Sequence, residues 1–302
     1  MNYQSSSCRF ALMFSLSLAL FSSISVSSQK ALFDIGMNNQ DDFQADCSPT
    51  TSLYSVSMIS DVFGNTVGED GTILMRANGQ PWQVQTSPTT QTLYSVVMAS
   101  NDFGKVVGKD GIILSRSNGQ PWQVETSPIT NTLYSVILVI DEGYWAVGEA
   151  GTILFNPFSG PWQVISSPVS NTLYSISGGM GYKVAVGEGG TIIGYQNWQP
   201  WQVQTSPTTQ TLYSISIQSA NFGHAVGEGG TILRRANGEP WQVQTSPTTN
   251  TLYSVSMNSD AFGHAVGEGG AILRRANGQP WQLNCWSYNL FIPIVLKSSS
   301  GS

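Results

Sequence analysis

Residues Leu252 to Asn284 read LYSVSMNSDAFGHAVGEGGAILRRANGQPWQLN. The stretch divides into four short segments of β character. Leu252–Met257 alternates and is rich in aromatic and β-branched residues. Gly263–Gly267 follows a turn at Ser259–Phe262, and Ala271–Arg275 is entered through Gly269-Gly270. A fourth segment begins at Trp281 after Asn277-Gly278, a strong short-range hairpin signal. Pro280 stands at the start of that segment, where a missing N–H is tolerated. None of the four carries the 3.6-residue period of an amphipathic helix. Four strands in about 40 residues is the spacing of a β-propeller blade; a β-solenoid, the competing repeat architecture, usually has shorter units.

The same unit recurs. Pro-Trp pairs begin at Pro81, Pro121, Pro161, Pro200, Pro240 and Pro280, and Leu-Tyr-Ser triplets begin at Leu53, Leu93, Leu133, Leu173, Leu212 and Leu252. Six complete copies span about 48 to 284 with no linker between them, which predicts one all-β propeller domain over 29–297 and a disordered tail over 298–302. Phe43–Cys47 aligns with Trp281–Cys285, Ala31–Gly36 resembles a third strand, and Leu290–Leu296 resembles a first strand. These pieces predict a seventh, abbreviated blade split between the termini, closing the ring without a free edge. A six-bladed ring is the alternative. Cys47 and Cys285 discriminate: a disulfide between them fits six blades, because equivalent outer positions on neighbouring blades lie beyond disulfide reach.

Composition narrows the function. The 302 residues carry 12 Lys+Arg against 18 Asp+Glu, a formal charge of −6 with no basic tract, which argues against a nucleic-acid surface. Residues 1–28 read as a secretory signal peptide: Arg9, an apolar core from Phe10 to Phe21, and small residues before Gln29. Neither that core nor the apolar run Leu290–Leu296 (LFIPIVL) is long enough to span a bilayer. The expected product is secreted, extracellular or periplasmic. Cys8 leaves with the leader, so Cys47 and Cys285 form the possible disulfide of an oxidising compartment.

The string VGEGGTILRRANGEPW, Val226 to Trp241, resembles the photosystem II assembly/stability factor-like propeller family, part of the wider set of Asp-box or bacterial-neuraminidase-type repeats. The resemblance covers all six copies. Gly238 and Trp241 fit the Asp-box, but Ala236 stands at its Asp and Arg234 at its Ser/Thr; copy two keeps Ser115 and has Ser117 for the Asp. The resemblance implies a propeller, an arginine patch for partner contact and a photosystem assembly chaperone. A chaperone of that kind needs delivery to a thylakoid lumen, whereas the leader reads as a plain secretory one.

Few residues offer chemistry. Glu69, Glu149, Glu188, Glu228 and Glu268 recur at one position, with Lys109 in copy two, and would give a near-ring of carboxylates for a cation or basic partner. Solvated turn residues multiplied by duplication are the stronger reading. Arg76, Arg116, Arg235 and Arg275 recur in third strands and would form a stripe for an acidic patch or a sugar acid, unless neighbouring acids and packed stems absorb them. Trp145, Trp198 and Trp286 break the repeat and are better ligand candidates than the periodic tryptophans, which suit packing between blades. His224 and His264 lack the companions of a zinc site. No cofactor motif, metal-ligand cluster or catalytic triad stands out, so an enzyme is not expected. The expected function is a secreted module binding protein or glycan. One alternative is a structural subunit of an extracellular filament or surface layer that self-associates through Leu290–Leu296; the other is the assembly-factor role.

Overall fold

The computed structural model describes residues 26–27, 51–158 and 160–284. They build six four-stranded antiparallel blades arranged as a β-propeller: blade one over 53–84, two over 93–125, three over 133–165, four over 173–203, five over 212–243 and six over 252–283. Within each blade the strands run in sequence order from the inner to the outer edge. The segments predicted to form a seventh blade, the cysteine pair that would discriminate between the counts, and Trp286 lie outside the described residues. Val26–Ser27, at the end of the predicted leader, pairs antiparallel with Ser55 and Val56 on the inner strand of blade one.

Two kinds of contact make a ring from repeated blades. Apolar side chains of neighbouring blades merge, as where Phe63, Val67 and Ile73 of blade one pack with Leu93, Val96 and Met98 of blade two. Equivalent clusters bridge the next four seams. Inner strands are also stitched: the backbone N–H of Val96 donates to Ser55 Oγ, and those of Val136, Ile176, Ile215 and Val255 donate to Ser95, Ser135, Ser175 and Ser214. Each bond satisfies an N–H that has no ladder partner on the inner edge. This is why serine recurs in Leu-Tyr-Ser.

The turns share out the two ends of the ring. At one end the second–third turn is tied to the loop entering the first strand, as in Glu149 N–H to Thr132 O. There Gly71 has φ +71°, and a Cβ on it would stand 1.9 Å from Thr89 O of the next blade, so both conformation and space require glycine. At the other end the Asn-Gly pairs have both φ values positive, as in Asn237 (54°) and Gly238 (75°), the type I′ geometry matching hairpin twist. This second end is called the turn face below.

The sixth seam, between blades six and one, differs from the other five. On blade six, His264, Gly270 and Arg274 are exposed, and Val266 and Ile272 are partly so, although Val226 and Ile232 of blade five are sealed. On blade one, Trp82 is half-buried while the equivalent tryptophans of the other five blades are buried. Among the described residues, no N–H donates to Ser254 or Ser256 and no apolar cluster crosses this seam.

Candidate interaction site

The inner strands bring six tyrosines into one continuous stack. Tyr54, Tyr94, Tyr134, Tyr174, Tyr213 and Tyr253 lie 5.2 to 5.8 Å apart between successive ring centroids. The recurring glutamates stand beside them. Glu69 accepts from the Tyr54 hydroxyl at 2.6 Å and from the Ser52 N–H; Glu149 and Glu228 make the same pair of bonds with Tyr134 and Thr132, and with Tyr213 and Thr211. Glu188 accepts from the Thr172 N–H, and Glu268 is exposed. Burial and the adjacent carboxylates raise the tyrosine pKa values above the phenol range. Four of the five glutamates thus accept from the loop that enters the first strand, and three of them also hold a tyrosine hydroxyl. They do not simply point into water.

The arginines lie in register at the turn-face end of the third strands, Arg76 opposite Gly64 and Arg116 opposite Gly104, then Arg235 opposite Gly223 and Arg275 opposite Gly263. Arg275 is buried and donates to Asp260 O and Gln279 O. Arg116 reaches Met75 Sδ and Gly119 O. Arg76 and Arg235 are half-buried, so the stripe is partly absorbed by its own blades.

One position on the second strand varies from blade to blade and faces the next blade: Asn65, Lys105, Trp145, Lys183, His224 and His264. Lys105 bonds Glu125, which also accepts from Trp162 of blade three. Trp145 is buried against Phe155, Tyr195 and Trp201, so its ring is closed to ligands. Lys183 is fully buried with its Nζ 2.6 Å from Glu142 and 4.7 and 4.6 Å from the Trp145 and Tyr195 ring centroids. Burial pushes its pKa down, and Glu142 pulls the other way. His224 is buried beside Trp281, and among the described residues neither ring nitrogen has a hydrogen-bond partner.

Glu142 has a second task. Its Oε1 accepts from the Gly181 N–H of blade four, and Gly181 O accepts from the Asn197 N–H. This chain of bonds fixes the turn that carries Trp198. Trp198 is 63% exposed and has φ +63°, at the place where blades one, two, five and six have glycine. A bulky residue in the left-handed region is strained, and such strain concentrates at functional positions. On the same turn face, Ile140 and Phe158 of blade three and Met180 of blade four are 55%, 60% and 60% exposed. Sequence reading selects Trp198 because it breaks the repeat. The same signal was available for Phe158 and Met180, which are plain apolar side chains, and for Glu142, a turn carboxylate outside the recurring row.

Among the described residues, no group of three or more His, Cys, Asp or Glu is placed to hold a metal ion, and no helix is long and apolar enough to cross a membrane. No protein-family model matches the chain. No curated protein sequence matches it either. Solved structures do. YCF48 bound to D1 peptide is similar at a TM-score of 0.64 and 20% identity, over 77% of this chain and 80% of that one. YCF48 from Cyanidioschyzon merolae gives 0.58 and 17% over 72% and 80%. The WD40 β-propeller domain of Doa1 gives 0.53 and 12% over 76% and 90%. At these identities the likeness concerns the fold. The Asp-box detail of the sequence resemblance gains no support from them.

Proposed function

We propose that this chain is a secreted, non-catalytic interaction module that grips a protein partner at the turn face of blades three and four. The carrying observation is Trp198, an exposed indole held in left-handed backbone where its sister blades have glycine. Ile140, Phe158 and Met180 are exposed apolar side chains on turns of the same two blades, and Glu142 braces the Trp198 turn from the neighbouring blade. Rigid aromatic anchors of this kind dominate binding energy at protein interfaces. The fold favours such a role because a ring presents many turns on a rigid frame, although fold alone does not set the ligand. That a neighbour of the same fold was solved with a D1 peptide supports a peptide or protein as ligand. The leader-like residues 1–28 support secretion, which amino-terminal sequencing of the mature protein tests.

The decisive variant is Trp198→Gly. It relieves left-handed strain and should raise stability by about 1 kcal/mol in denaturant unfolding, while abolishing recovery of the native partner from the secreted material, scored by quantitative mass spectrometry. An unchanged partner set refutes the protein-binding site. Loss of binding on a glycan array instead moves the assignment to a lectin. The assembly-factor reading keeps one specific support, the likeness to YCF48, and titration with a D1 peptide tests it directly.

A further inference from the structure

The blade-six side of the sixth seam is built like that of the other five, but among the described residues its stitching serines and apolar face find no matching strand. On the blade-six side, Ser254 and Ser256 stand where Ser214 and Ser216 accept the N–H groups of Val255 and Met257. Neither receives an N–H among the described residues. A Cβ on Gly270 would meet no described atom within 4 Å, while its counterpart Gly230 lies against Thr248 O of the next blade.

We propose that the chain's own C-terminal segment, Ile292–Lys297, docks on the open face of blade six as an additional inner strand. Its place in the sequence supports this. First strands recur every 39 or 40 residues, and 40 residues beyond Leu252 is Ile292. In that register Pro293 takes the tyrosine position, which is the bulge of the inner strand, where the pairing of Leu252 and Ser254 with the second strand skips a residue. Proline is tolerated at a bulge because no ladder hydrogen bond is lost. The backbone N–H groups of Val295 and Lys297 then fall where Val255 and Met257 donate to serine one seam earlier. Ile292, Ile294, Val295 and Leu296 supply the apolar surface that partly exposed Val266 and Ile272 lack. A single inner strand covers only the part of the face near the axis, so His264 and Arg274, farther out, stay open. The segment's distance of nine residues from Leu283, the last described strand residue, matches the nine from Val243 to Leu252.

Hydrogen–deuterium exchange on the intact chain tests this. The amides of 292–297 should exchange at least tenfold more slowly than in a free peptide of the same sequence, and the double variant Ser254→Val/Ser256→Val should remove that protection. Exchange at the free-peptide rate in the wild-type chain overturns the proposal and leaves the face to direct closure by blade one. Protection that disappears on dilution, together with an oligomer by mass, also overturns it, in favour of a second copy in the slot. Persistence of protection in a double variant that keeps the wild-type unfolding midpoint refutes the serine register.

Discussion

Phe222–Gly230 and Phe262–Gly270 have the same nine residues, FGHAVGEGG, yet they live in different surroundings. In the first, His224 is sealed beneath Trp281, with Arg234 and Asp260 bonded across the seam and Arg275 close by. In the second, His264 is exposed, Arg274 is exposed, and the matching partners, Trp82 and Asp61, are half-buried and exposed on blade one. Identical local sequence therefore makes identical strands and turns but not identical burial. Whether a blade face becomes core depends on what packs against it, a tertiary property that no window of one repeat contains.

The largest expected contrast between the two seams is in their tryptophans. Trp281→Ala removes a buried indole from the fifth seam and should cost about 3–5 kcal/mol. Trp82→Ala at the sixth seam should cost no more than about 2 kcal/mol, since less of its surface leaves water on folding. Urea unfolding of both variants measures the difference. Equal losses would show that the sixth seam is as tightly packed as the fifth.

The histidines give the next largest effect, and it depends on pH. Burial, with Arg275 nearby, holds the His224 imidazole down to about 4 from its ordinary 6.5. Between those values the folded state binds fewer protons than the unfolded one, so stability is complete above pH 6.5 and falls as pH drops toward 4. The loss is about 3 kcal/mol across that window. His264 is shifted the same way by partial burial and Arg274, but it is exposed and should contribute much less. His224→Asn, the residue that blade one carries here as Asn65, should flatten the pH dependence of the unfolding midpoint. His264→Asn should leave most of the slope in place. A slope unchanged by His224→Asn would show that the acid sensitivity arises elsewhere.

How much of this was legible in the sequence follows from the same comparison. The repeat of Leu-Tyr-Ser, of the glycine-flanked second–third turn and of Pro-Trp fixes strands, turns and blade length, because those features answer to local chemistry. The serine stitches could be seen as a repeat but not as inter-blade acceptors, since the donors lie about 40 residues away. Trp145 and Trp198 look alike in sequence, as tryptophans outside the repeat. One is core and the other is exposed, because Trp145 alternates inward on a second strand facing blade four while Trp198 takes the glycine place of a type I′ turn. The glutamate row was visible, but its bonds to tyrosine hydroxyls needed the hairpin of first and second strands within each blade, which brings residues 15 apart together.

The smallest effect isolates electrostatics from packing. Arg234 makes a two-pronged contact with Asp260, its Nε 2.8 Å from Oδ1 and its other bond from Nη2 to Oδ2. Hydrogen bonding to this guanidinium holds the Asp260 carboxyl below the usual carboxylate range. The pair is about a quarter exposed, so solvent screening limits its coupling to roughly 1 kcal/mol. Arg274 and Asp61 repeat the pair across the sixth seam in sequence, but both are exposed and no salt bridge joins them. A double-mutant cycle with Arg234→Ala and Asp260→Ala should give that coupling. The corresponding cycle with Arg274→Ala and Asp61→Ala should give none within error. Because a strand near the axis leaves Arg274 open, this second cycle should stay near zero even with Ile292–Lys297 docked. A coupling there equal to the first would instead place blade one directly against blade six.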